Sequence, residues 1–423
     1  MECIFRNVRI IDPTSPNHQL VRDVWIKDGT IIEIKAKIKN NKKTKEFQAK
    51  DTCLSPGWID LGCLHGEPGY EHRETLQSIA QAACKGGYTA ICCFPNTDPV
   101  IHSKSEVNFI KTKSSKLPVN IYPIGAISKE CKSEELAEIL QMEQAGAIAF
   151  SDGKKPIQKS GLLMRALEYV KLIPNGLIIN SCVDKGIAAS GQMHEAYTST
   201  SLGLKGIPAL AETIHVFRDI EILKYSQSRL LIHKLSTSEA VNQLKQEKTK
   251  LKNLFCSVSV FNLMYNDTQM EDFNVNLKLD PPLRSEGDRK SLIKGIQDGT
   301  IDIICTDHTP WDVEMKDLEF QSAAFGAINL ETAFAAYCTL LAKELTIDHW
   351  VQAVSINPSR ILQIPTGSIQ VGATGDFTWF DPLKEWTYDV ATSASLSKNS
   401  PFHGKTLKGK VLGCISKSNF YPV

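Results

Sequence analysis

Eight strand-like segments alternate with helix-like stretches through the middle of this chain, and this alternation restricts the fold more than any other feature. Periodicity alone would allow an open, doubly wound sheet or a closed barrel. The count of eight favours a TIM barrel, whose chemistry lies at the C-terminal ends of its strands. The predicted strands are Trp58–Gly62, Thr89–Phe94, Val119–Gly125, Ala147–Ser151, Leu177–Ser181, Arg229–His233, Leu254–Val258 and Asp302–Thr306.

The two ends of the chain have a different character, because short strand-like runs and turns fill residues 1–54 and again residues 365–423. Near the N-terminus, the pair Asp28-Gly29 lies between two such runs and is a hairpin signal. We therefore predict a small composite β-sandwich domain built from residues 1–54 and 365–423. It lies beside a (β/α)8 barrel formed by residues 55–364.

Charge and composition argue against several classes of protein. The chain has 48 basic and 47 acidic residues, a balance that argues against an electrostatic surface for nucleic acid or for an anionic membrane. Its apolar runs are strand-sized, so we expect no membrane span, and the N-terminus lacks the layout of a signal peptide. The twelve cysteines are scattered without zinc-ribbon spacing, which favours reduced thiols in a cytoplasmic protein.

Residues 55–69 read SPGWIDLGCLHGEPG and resemble the first-strand motif of the dihydroorotase/hydantoinase branch of the amidohydrolases, roughly SPGFIDxHxHxREPG. In that family the two histidines point to the same side of a strand and bind zinc. The frame here has no insertion or deletion, yet Gly62 and Leu64 occupy the two histidine positions and Gly66 occupies the arginine position. Neither a glycine nor a leucine side chain can bind a metal.

Further motifs extend the resemblance over nearly the whole chain. They are FPNTDPV (94–100), AFSD (149–152), GIPALAE (206–212), LST (235–237), DPPLR (280–284), GTIDIICTDHTP (299–310), FGAINLET (325–332) and INPSRIL (356–362). The resemblance implies a TIM barrel and, in an active member, hydrolysis or formation of the cyclic amide of dihydroorotate in pyrimidine biosynthesis. A zinc-bound hydroxide attacks the ring carbonyl there, because zinc lowers the pKa of water to about 7.

Carried over position by position, most of the family's metal site is missing. Ser181 occupies the fifth-strand histidine position, and Lys234 occupies the sixth-strand histidine position, directly before the LST triplet. Asp307 keeps the place of the catalytic aspartate at the end of the eighth strand. Asp152 remains from an acidic segment whose second acid is replaced by Gly153. The resemblance therefore implies two residual acids, no histidine ligands and no bound cofactor.

The family's substrate-binding positions are also altered. Asn96 is retained, whereas Gly66 replaces an arginine and Trp311 replaces a histidine. One alternative metal pair remains, since Cys63 and His65 form a C-x-H pair one residue out of frame. That pair would face the site only if the strand slipped by one residue, which would turn its other side chains to the wrong face.

Three functions remain open from the sequence. The first is a catalytically inactive, metal-free dihydroorotase-like protein with an assembly or regulatory role. Some relatives of this kind are non-catalytic partners of aspartate carbamoyltransferase, so this enzyme is one predicted partner. The other predicted partner is a further copy of the chain, in a homo-oligomer. The second is an active dihydroorotase or other cyclic amidohydrolase that binds zinc at an atypical site including Asp152 and Asp307. The third is a metal-free enzyme in which Lys234 forms a Schiff base.

The charges at the predicted barrel mouth lead to a structural prediction. Asp307 occupies a position where zinc balances its charge in the family, and a lone buried carboxylate is costly. We therefore expect Lys234 to replace the metal charge by pairing with Asp307, with Asp152 as a second partner within its reach. Because alternate strand residues point to opposite faces, His233 should face the helix layer.

Overall fold

A sheet built from both ends of the chain lies beside a barrel in the computed structural model, which describes residues 1–40 and 44–423. The strands are β1 (Glu2–Ile10), β2 (Val21–Lys27), β3 (Thr30–Lys35), β4 (Lys45–Gln48), β5 (Cys53–Pro56), β6 (Trp58–Cys63), β7 (Tyr88–Cys93), β8 (Asn120–Pro123), β9 (Ile178–Ser181), β10 (Met193–His194), β11 (Gly206–Ile207), β12 (Leu230–His233), β13 (Leu254–Ser259), β14 (Ile303–Cys305), β15 (Phe377–Thr387), β16 (Thr406–Ser416) and β17 (Asn419–Pro422). The α-helices are α1 (Leu76–Lys85), α2 (Lys104–Ser114), α3 (Ile139–Ala145), α4 (Ser160–Val170), α5 (Lys185–Ala188), α6 (Tyr197–Ser201), α7 (Leu210–Ser226), α8 (Ser238–Lys248), α9 (Val260–Met264), α10 (Glu286–Gln297), α11 (Ala333–Ala336), α12 (Ile347–Val351) and α13 (Asn357–Leu362).

Strand β5 joins the two halves of the terminal sheet. It pairs in parallel with β1 and antiparallel with β15, giving the order β17-β16-β15-β5-β1-β2-β3, with β4 also on β1. The rings of Phe5, Phe47, Trp379 and Phe420 pack on one another in its core. Both termini thus contribute to one β unit, as predicted. The domain boundaries remain predictions, although β5 runs past residue 54 to Pro56.

The middle of the chain forms the barrel. Parallel strands β6, β7 and β8 form one run, and β9, β12, β13 and β14 form the other. The sequence predicts a fourth strand at residues 147–151, but only Phe150 makes bridges there, to Gly125 on one side and Ile178 on the other. Phe150 N also donates to Leu177 O at 3.0 Å. The segment therefore occupies the fourth position of the barrel without forming a regular strand.

Asp60 closes the barrel between its first and eighth strands. Its buried carboxylate accepts hydrogen bonds from Thr306 N at 2.7 Å and from Thr306 Oγ1 at 2.8 Å, directly after β14. Further along, Leu64 N donates to His308 O at 3.0 Å. The ring of strands is therefore closed at the end where the strand C-termini lie, which is the end that carries the active site in barrels of this type.

Apolar side chains fill the inside of the barrel. Ile59, Leu61, Phe94, Ile179 and Leu231 belong to one buried interior cluster, and a larger cluster lies between the strands and the helices. Because the strands alternate between these two clusters, the parity of a residue decides whether its side chain faces the interior. The interior is packed, so a ligand would have to bind above Phe94, at the mouth.

Two bulk expectations can be compared with the structure. Over residues 1–40 and 44–423, no helix combines the length and the apolar content that crossing a bilayer requires. All twelve cysteines are buried and carry free thiols. Burial in apolar surroundings, and not disulfide bonding, therefore accounts for the high cysteine content.

The raised pKa of Asp60 gives a pH-dependent prediction for the variant Asp60→Asn, which keeps an acceptor for Thr306 N but cannot ionise. Burial raises the pKa of Asp60 from 3.8 to about 6, although the bonds from Thr306 act to lower it. The folded protein holds this proton more tightly than the unfolded chain, so the resulting stability is complete below the unfolded pKa and is lost as pH rises through about 6. Between the unfolded pKa of 3.8 and the folded pKa of about 6, the unfolding free energy of the wild type should fall by about 3 kcal/mol relative to that of the variant.

Urea unfolding of both proteins at about pH 4 and about pH 7 measures this difference. A difference in unfolding free energy that does not change with pH would contradict the prediction.

Candidate functional site at the barrel mouth

Asp307 lies at the centre of the mouth, two residues after the end of β14. Its Oδ1 accepts a hydrogen bond from Lys234 Nζ at 2.8 Å and another from Lys154 Nζ at 3.2 Å. Lys234 directly follows β12, and both Lys234 and Asp307 have a positive φ, +61° and +56°. This left-handed turn at each strand end directs the two side chains toward each other. The ion pair expected from the sequence is present, and Lys154 is an additional partner that sequence reasoning did not identify.

The two lysines compete for one carboxylate. Burial acts to raise the pKa of Asp307, but the charges of Lys154 and Lys234 outweigh it and hold this pKa below its usual value. Burial acts to lower the pKa of Lys234, but Asp307 and Asp280 outweigh it and raise this pKa. For Lys154 burial dominates, and with the adjacent Lys234 charge it lowers the pKa. Asp307 is therefore ionised at neutral pH, and Lys234 is its principal counterion.

Asp152 does not join this cluster, so the prediction that it would also pair with Lys234 is wrong. Its carboxylate accepts hydrogen bonds from Ile127 N at 2.8 Å, Ser128 N at 2.9 Å and the Ser128 hydroxyl. These backbone donors lie on the loop that follows the third barrel strand, and they satisfy the carboxylate without a cation. Burial raises the pKa of Asp152 to about 6, although the bonds from Ser128 act to lower it.

Asn96 and Ser181 hold the loop that carries Lys154. Asn96 Nδ2 donates to Asp152 O at 3.0 Å, and Asn96 Oδ1 accepts from Lys154 N at 3.0 Å. From the fifth strand, Ser181 Oγ donates to Gly153 O at 2.9 Å. Asn96 therefore positions Lys154, and its predicted role in binding substrate remains a prediction. The strand-end location of Lys154, one residue after Gly153, is the sequence signal that would have identified it.

Gly62 lies at a bulge in β6, with φ +83°. A Cβ atom added there would lie 2.6 Å from Phe94 Cε2 and 3.0 Å from His233 Cε1. The rings of Phe94 and His233 pack edge to face at 5.1 Å. Leu64, the other first-strand position, is half-buried against the same interior cluster. The volume beside the first strand is therefore filled by aromatic side chains.

His233 faces the barrel interior, so the prediction that it faces the helix layer is wrong. It has the same parity as Leu231, which belongs to the interior cluster, and its Nδ1 lies 2.8 Å from Ser257 Oγ. The prediction assumed that Lys234 continued the alternation of β12, whereas Lys234 follows the strand and turns inward through its positive φ. Burial holds the pKa of His233 well below 6.5.

The Cys63 and His65 pair does not converge on the mouth. Cys63 belongs to the cluster between strands and helices, with its Sγ 3.6 Å from Cys93 Sγ. His65 is buried after the end of β6, and burial lowers its pKa to about 4. The bulge at Gly62 shifts the frame, so that Leu64 and not Cys63 packs toward the interior. The alternative metal pair is therefore not assembled.

A cavity of about 600 Å³ opens beside the mouth, with Leu64, Asn96, Lys154 and Trp311 in its wall. Trp311 Nε1 donates to Phe325 O at 2.8 Å, so its indole is fixed in that wall.

Arg73 lines the same cavity as Gly66, the missing arginine position. Its guanidinium lies over the rings of Tyr70 and Trp311, at 4.6 Å and 4.4 Å, and its Nε donates to Asp312 at 3.0 Å. At Gly66 itself, an added Cβ would lie 2.0 Å from Tyr70 O, so the loop excludes any side chain there. Sequence reasoning missed Arg73, because only the folded loop brings it beside Trp311.

The side chains at the mouth do not fit the zinc that the family resemblance implies. A zinc site needs at least three protein ligands. Among residues 1–40 and 44–423, no group of three or more His, Cys, Asp or Glu side chains is placed to hold a metal ion. Asp307, the acid at the catalytic position, is flanked by the amines of Lys154 and Lys234, whose positive charge repels a divalent cation.

Comparison with solved structures identifies the fold. The L-hydantoinase from Arthrobacter aurescens superposes with a TM-score of 0.87 at 21% identity, covering 99% of this chain and 95% of that chain. The dihydropyrimidinase from Brevibacillus agri gives 0.81 at 19% identity, with 99% and 95% covered. The predicted fold, a TIM barrel with a β-sandwich domain made from both termini, is confirmed.

Sequence comparison identifies the family. The dihydroorotase from Pelotomaculum thermopropionicum is 39% identical over 411 residues, covering 97% of this chain and 96% of that protein. The dihydroorotase from Acetivibrio thermocellus is 38% identical over 419 residues, with 98% of each chain covered. The family model for dihydro-orotase-like proteins matches residues 52–240. The chain belongs to the dihydroorotase family.

The charge cluster at the mouth predicts unequal effects for Lys234→Met, Asp307→Asn and the double variant. Asp307→Asn leaves the buried amine of Lys234 beside the half-buried amine of Lys154 with no carboxylate between them, and should cost about 3–5 kcal/mol of unfolding free energy. Lys234→Met should cost less, because Lys154 remains on the carboxylate. The double variant should cost less than the sum of the two single variants, because neither partner is then left without the other.

Denaturant unfolding of the four proteins measures the coupling free energy between the two positions. The exposed pair Lys129 and Glu135, 2.8 Å apart, provides a control in which the same double-variant cycle should show almost no coupling. Strictly additive effects at Lys234 and Asp307 would rule out a stabilising pair.

The packing at Gly62 predicts that restoring a histidine there destabilises the protein. Gly62→His and Gly62→Ala should each cost about 2–4 kcal/mol, because a Cβ both overlaps the Phe94 ring and requires a strained positive φ. Gly203→Ala is the matched control, since Gly203 has φ +66° with open space around it; that variant should lose only the backbone contribution, about 1 kcal/mol.

Thermal unfolding compares the three variants, and elemental analysis follows the zinc content of Gly62→His. A Gly62→His protein as stable as wild type, or one that gains zinc, would show that Phe94 does not block the position.

Proposed function

We propose that this chain is a dihydroorotase-like protein that neither holds a catalytic metal nor hydrolyses dihydroorotate, and that its role is in assembly or regulation. The observation that carries the proposal is the pairing of Asp307 with both Lys154 and Lys234. A carboxylate at the catalytic position is thereby bound to fixed cations of the protein, so it is not free to accept a proton from a reacting water.

Charge and volume support the proposal independently of each other. The charge of Lys234 replaces that of a metal at the sixth strand, and the rings of Phe94 and His233 fill the space beside Gly62. Water is a poor nucleophile at neutral pH unless a metal or a strong base activates it. Among residues 1–40 and 44–423, no group of side chains is placed to hold the metal that would activate a water in this way.

The substrate side of the mouth gives further support. A dihydroorotate carboxylate needs a cationic partner, and at Gly66 the backbone leaves no room for one. Arg73 lies nearby, but Asp312 already neutralises its guanidinium and two aromatic rings cover its faces. An anion that used Arg73 would therefore have to displace its ion pair with Asp312.

The alternative function is an active cyclic amidohydrolase with zinc at an atypical site, and it requires a second acidic ligand beside Asp307. Asp152 is the sequence candidate, but its carboxylate is bound to the backbone of Ile127 and Ser128. The Schiff-base alternative requires a free amine at Lys234, whereas this residue is the protonated partner of Asp307. We therefore favour the non-catalytic function.

The assembly role comes from the family resemblance, in which non-catalytic members bind aspartate carbamoyltransferase. The match to dihydroorotases covers 97% and 98% of the chain, so the whole fold is retained. Twelve buried free thiols are consistent with a reducing compartment such as the cytoplasm.

The proposal predicts that the purified protein contains far less than one zinc per chain and gives no dihydroorotate hydrolysis above a protein-free blank. Elemental analysis and a spectrophotometric hydrolysis assay measure both quantities on the same sample. The protein should be produced in a host that lacks its own dihydroorotase. The Pelotomaculum thermopropionicum relative, prepared in parallel, is the matched positive control. Stoichiometric zinc, or turnover that persists in such a host, would overturn the proposal.

A further inference from the structure

A second cavity, of about 340 Å³, lies where helices α1 and α11 meet strands β15 and β16 of the terminal sheet, and it is called the α1–β16 cavity below. The residues that line it and those that line the mouth cavity are two separate sets. The side chains that would meet a ligand are Lys85, Glu331, Phe334, Trp386, Tyr388 and Lys410. Small-molecule sites measure about 300–1,000 Å³, so this cavity is large enough for a ligand of its own.

Aromatic side chains form the apolar part of the wall. The ring centroids of Trp386 and Tyr388 are 5.8 Å apart and their planes are nearly perpendicular, at 88°. Trp386 Nε1 donates to Gly409 O at 2.9 Å, so the indole is fixed in the wall. Tyr388 and Phe334 are buried, whereas Trp386 is half-buried. A fixed ring with accessible surface can stack on a planar ligand at little cost in side-chain entropy.

Lys410 brings a cation to the same wall. Its Nζ lies 5.5 Å from the centre of the Trp386 ring. Within the described ranges 1–40 and 44–423, no carboxylate lies at ion-pair distance from this amine and no acceptor lies at hydrogen-bond distance from it. Its positive charge therefore has no neutralising partner beside the apolar wall.

Lys85 supplies a second amine from the end of α1. Its Nζ donates to Thr392 O at 3.0 Å, and Glu331 Oε1 lies 3.9 Å away. An ammonium group has three donors, so Lys85 retains donors for a ligand. Glu331 Oε1 accepts from Ala394 N at 2.7 Å, and burial raises the pKa of Glu331 although this bond and the Lys85 charge act to lower it. The acid is thus bonded to the backbone, whereas both amines can still donate.

We propose that the α1–β16 cavity binds a planar aromatic anion. Its ring packs against Trp386 and Phe334, and its carboxylate or phosphate accepts hydrogen bonds from Lys85 and Lys410. The apolar wall removes the ring from water, and the ammonium donors make charge-assisted hydrogen bonds to the anion. Ring and charge are needed together, because a neutral ring leaves the Lys410 charge unneutralised and a small anion leaves the apolar wall uncovered.

The inference goes beyond the proposed function, because the cavity lies outside the mouth. A ligand bound there gives a barrel without catalytic activity a means of responding to a small molecule. Zinc content and hydrolysis depend on the mouth, so they test the proposed function and leave the ligand site untouched, and the binding experiments below do the reverse.

Titration calorimetry of the full chain with three naphthalene compounds tests the class of ligand. The anions 2-naphthoate and 1-naphthyl phosphate present the ring with a carboxylate or with a phosphate, and 2-naphthamide is the uncharged counterpart of 2-naphthoate. At least one anion should bind at one per chain and at least about tenfold more tightly than the amide. The tighter of the two identifies the anionic group, and its advantage over the amide should shrink as salt is added. Binding of neither anion, or equal binding of anions and amide, would overturn the inference.

Variants of the wall test the place of binding. Lys410→Met should weaken binding of the anion at least about tenfold and leave binding of the amide unchanged. Lys408→Met is the matched control, since Lys408 is also a half-buried lysine of β16 but lies outside the cavity lining. Lys85→Met, on α1, is a second charge variant that leaves the sheet unaltered, and it should also weaken binding of the anion. Unchanged affinity in both lysine variants would contradict the inference.

Two further measurements separate this site from other ways of binding the probes. Trp311→Leu alters the wall of the mouth cavity and should leave the affinity for the anions unchanged. Binding that Trp311→Leu abolishes and Lys410→Met does not would assign the probes to the mouth and overturn the inference. Preferential binding of 2-naphthylmethylamine, abolished by Glu331→Gln, would show that the cavity takes a cation and would equally overturn it.

Discussion

The buried carboxylate of Asp307 is the charge on which the arrangement of the barrel mouth depends. A buried carboxylate requires a positive charge beside it, and the resemblance implies that a metal supplies this charge in active members of the family. Here Lys234 and Lys154 supply it, one from a strand end and one from a loop. The positive φ at Lys234 and Asp307 is a local cost of about 1 kcal/mol or more at each residue. The left-handed turns bring the Lys234 amine and the Asp307 carboxylate together, and the ion pair that they form offsets the cost of the two strained residues.

The loop at residues 152–154 is the second element of this arrangement. Three positions that the resemblance assigns to metal or substrate binding, Asn96, Asp152 and Ser181, form hydrogen bonds to or from this loop or its neighbour. Their polar groups hold the backbone that presents Lys154. The mouth is therefore an ordered polar network and not an empty site, and changes in one member are expected to move the others.

Much of this fold is predictable from sequence, because strand count and motif spacing depend on local chemistry. The two-ended sheet and seven of the barrel strands follow from apolar runs and turn signals. At the fourth position the apolar run of residues 147–151 predicts a full strand, but only Phe150 makes bridges there, because an apolar run indicates burial and not how many backbone groups pair. The pairing of Lys234 with Asp307 was predictable from the loss of a metal charge.

What sequence could not give is the effect of backbone turns at the strand ends. The alternation rule fails at Gly62 and Lys234, where a bulge and a left-handed residue shift the frame. The bulge places Leu64 toward the interior. The left-handed turn brings Lys234 to the mouth, although His233, which alternates regularly with Leu231, also faces inward. Lys154 and Arg73 enter the site from loops whose positions depend on tertiary contacts. The sequence shows which residue occupies each ligand position of the family. It does not show how much space the surrounding side chains leave there.

The pairing of β5 with β15 means that the terminal sheet can form only late in synthesis of the chain. Pro56 pairs with Phe377, so one edge of β5 has no partner until nearly the whole barrel has left the ribosome. An unpaired strand edge is a template for pairing with other chains, and long-range strand pairing is slow to form. The newly made N-terminal strands are thus an aggregation-prone intermediate during translation, and the last strands of the chain protect the first.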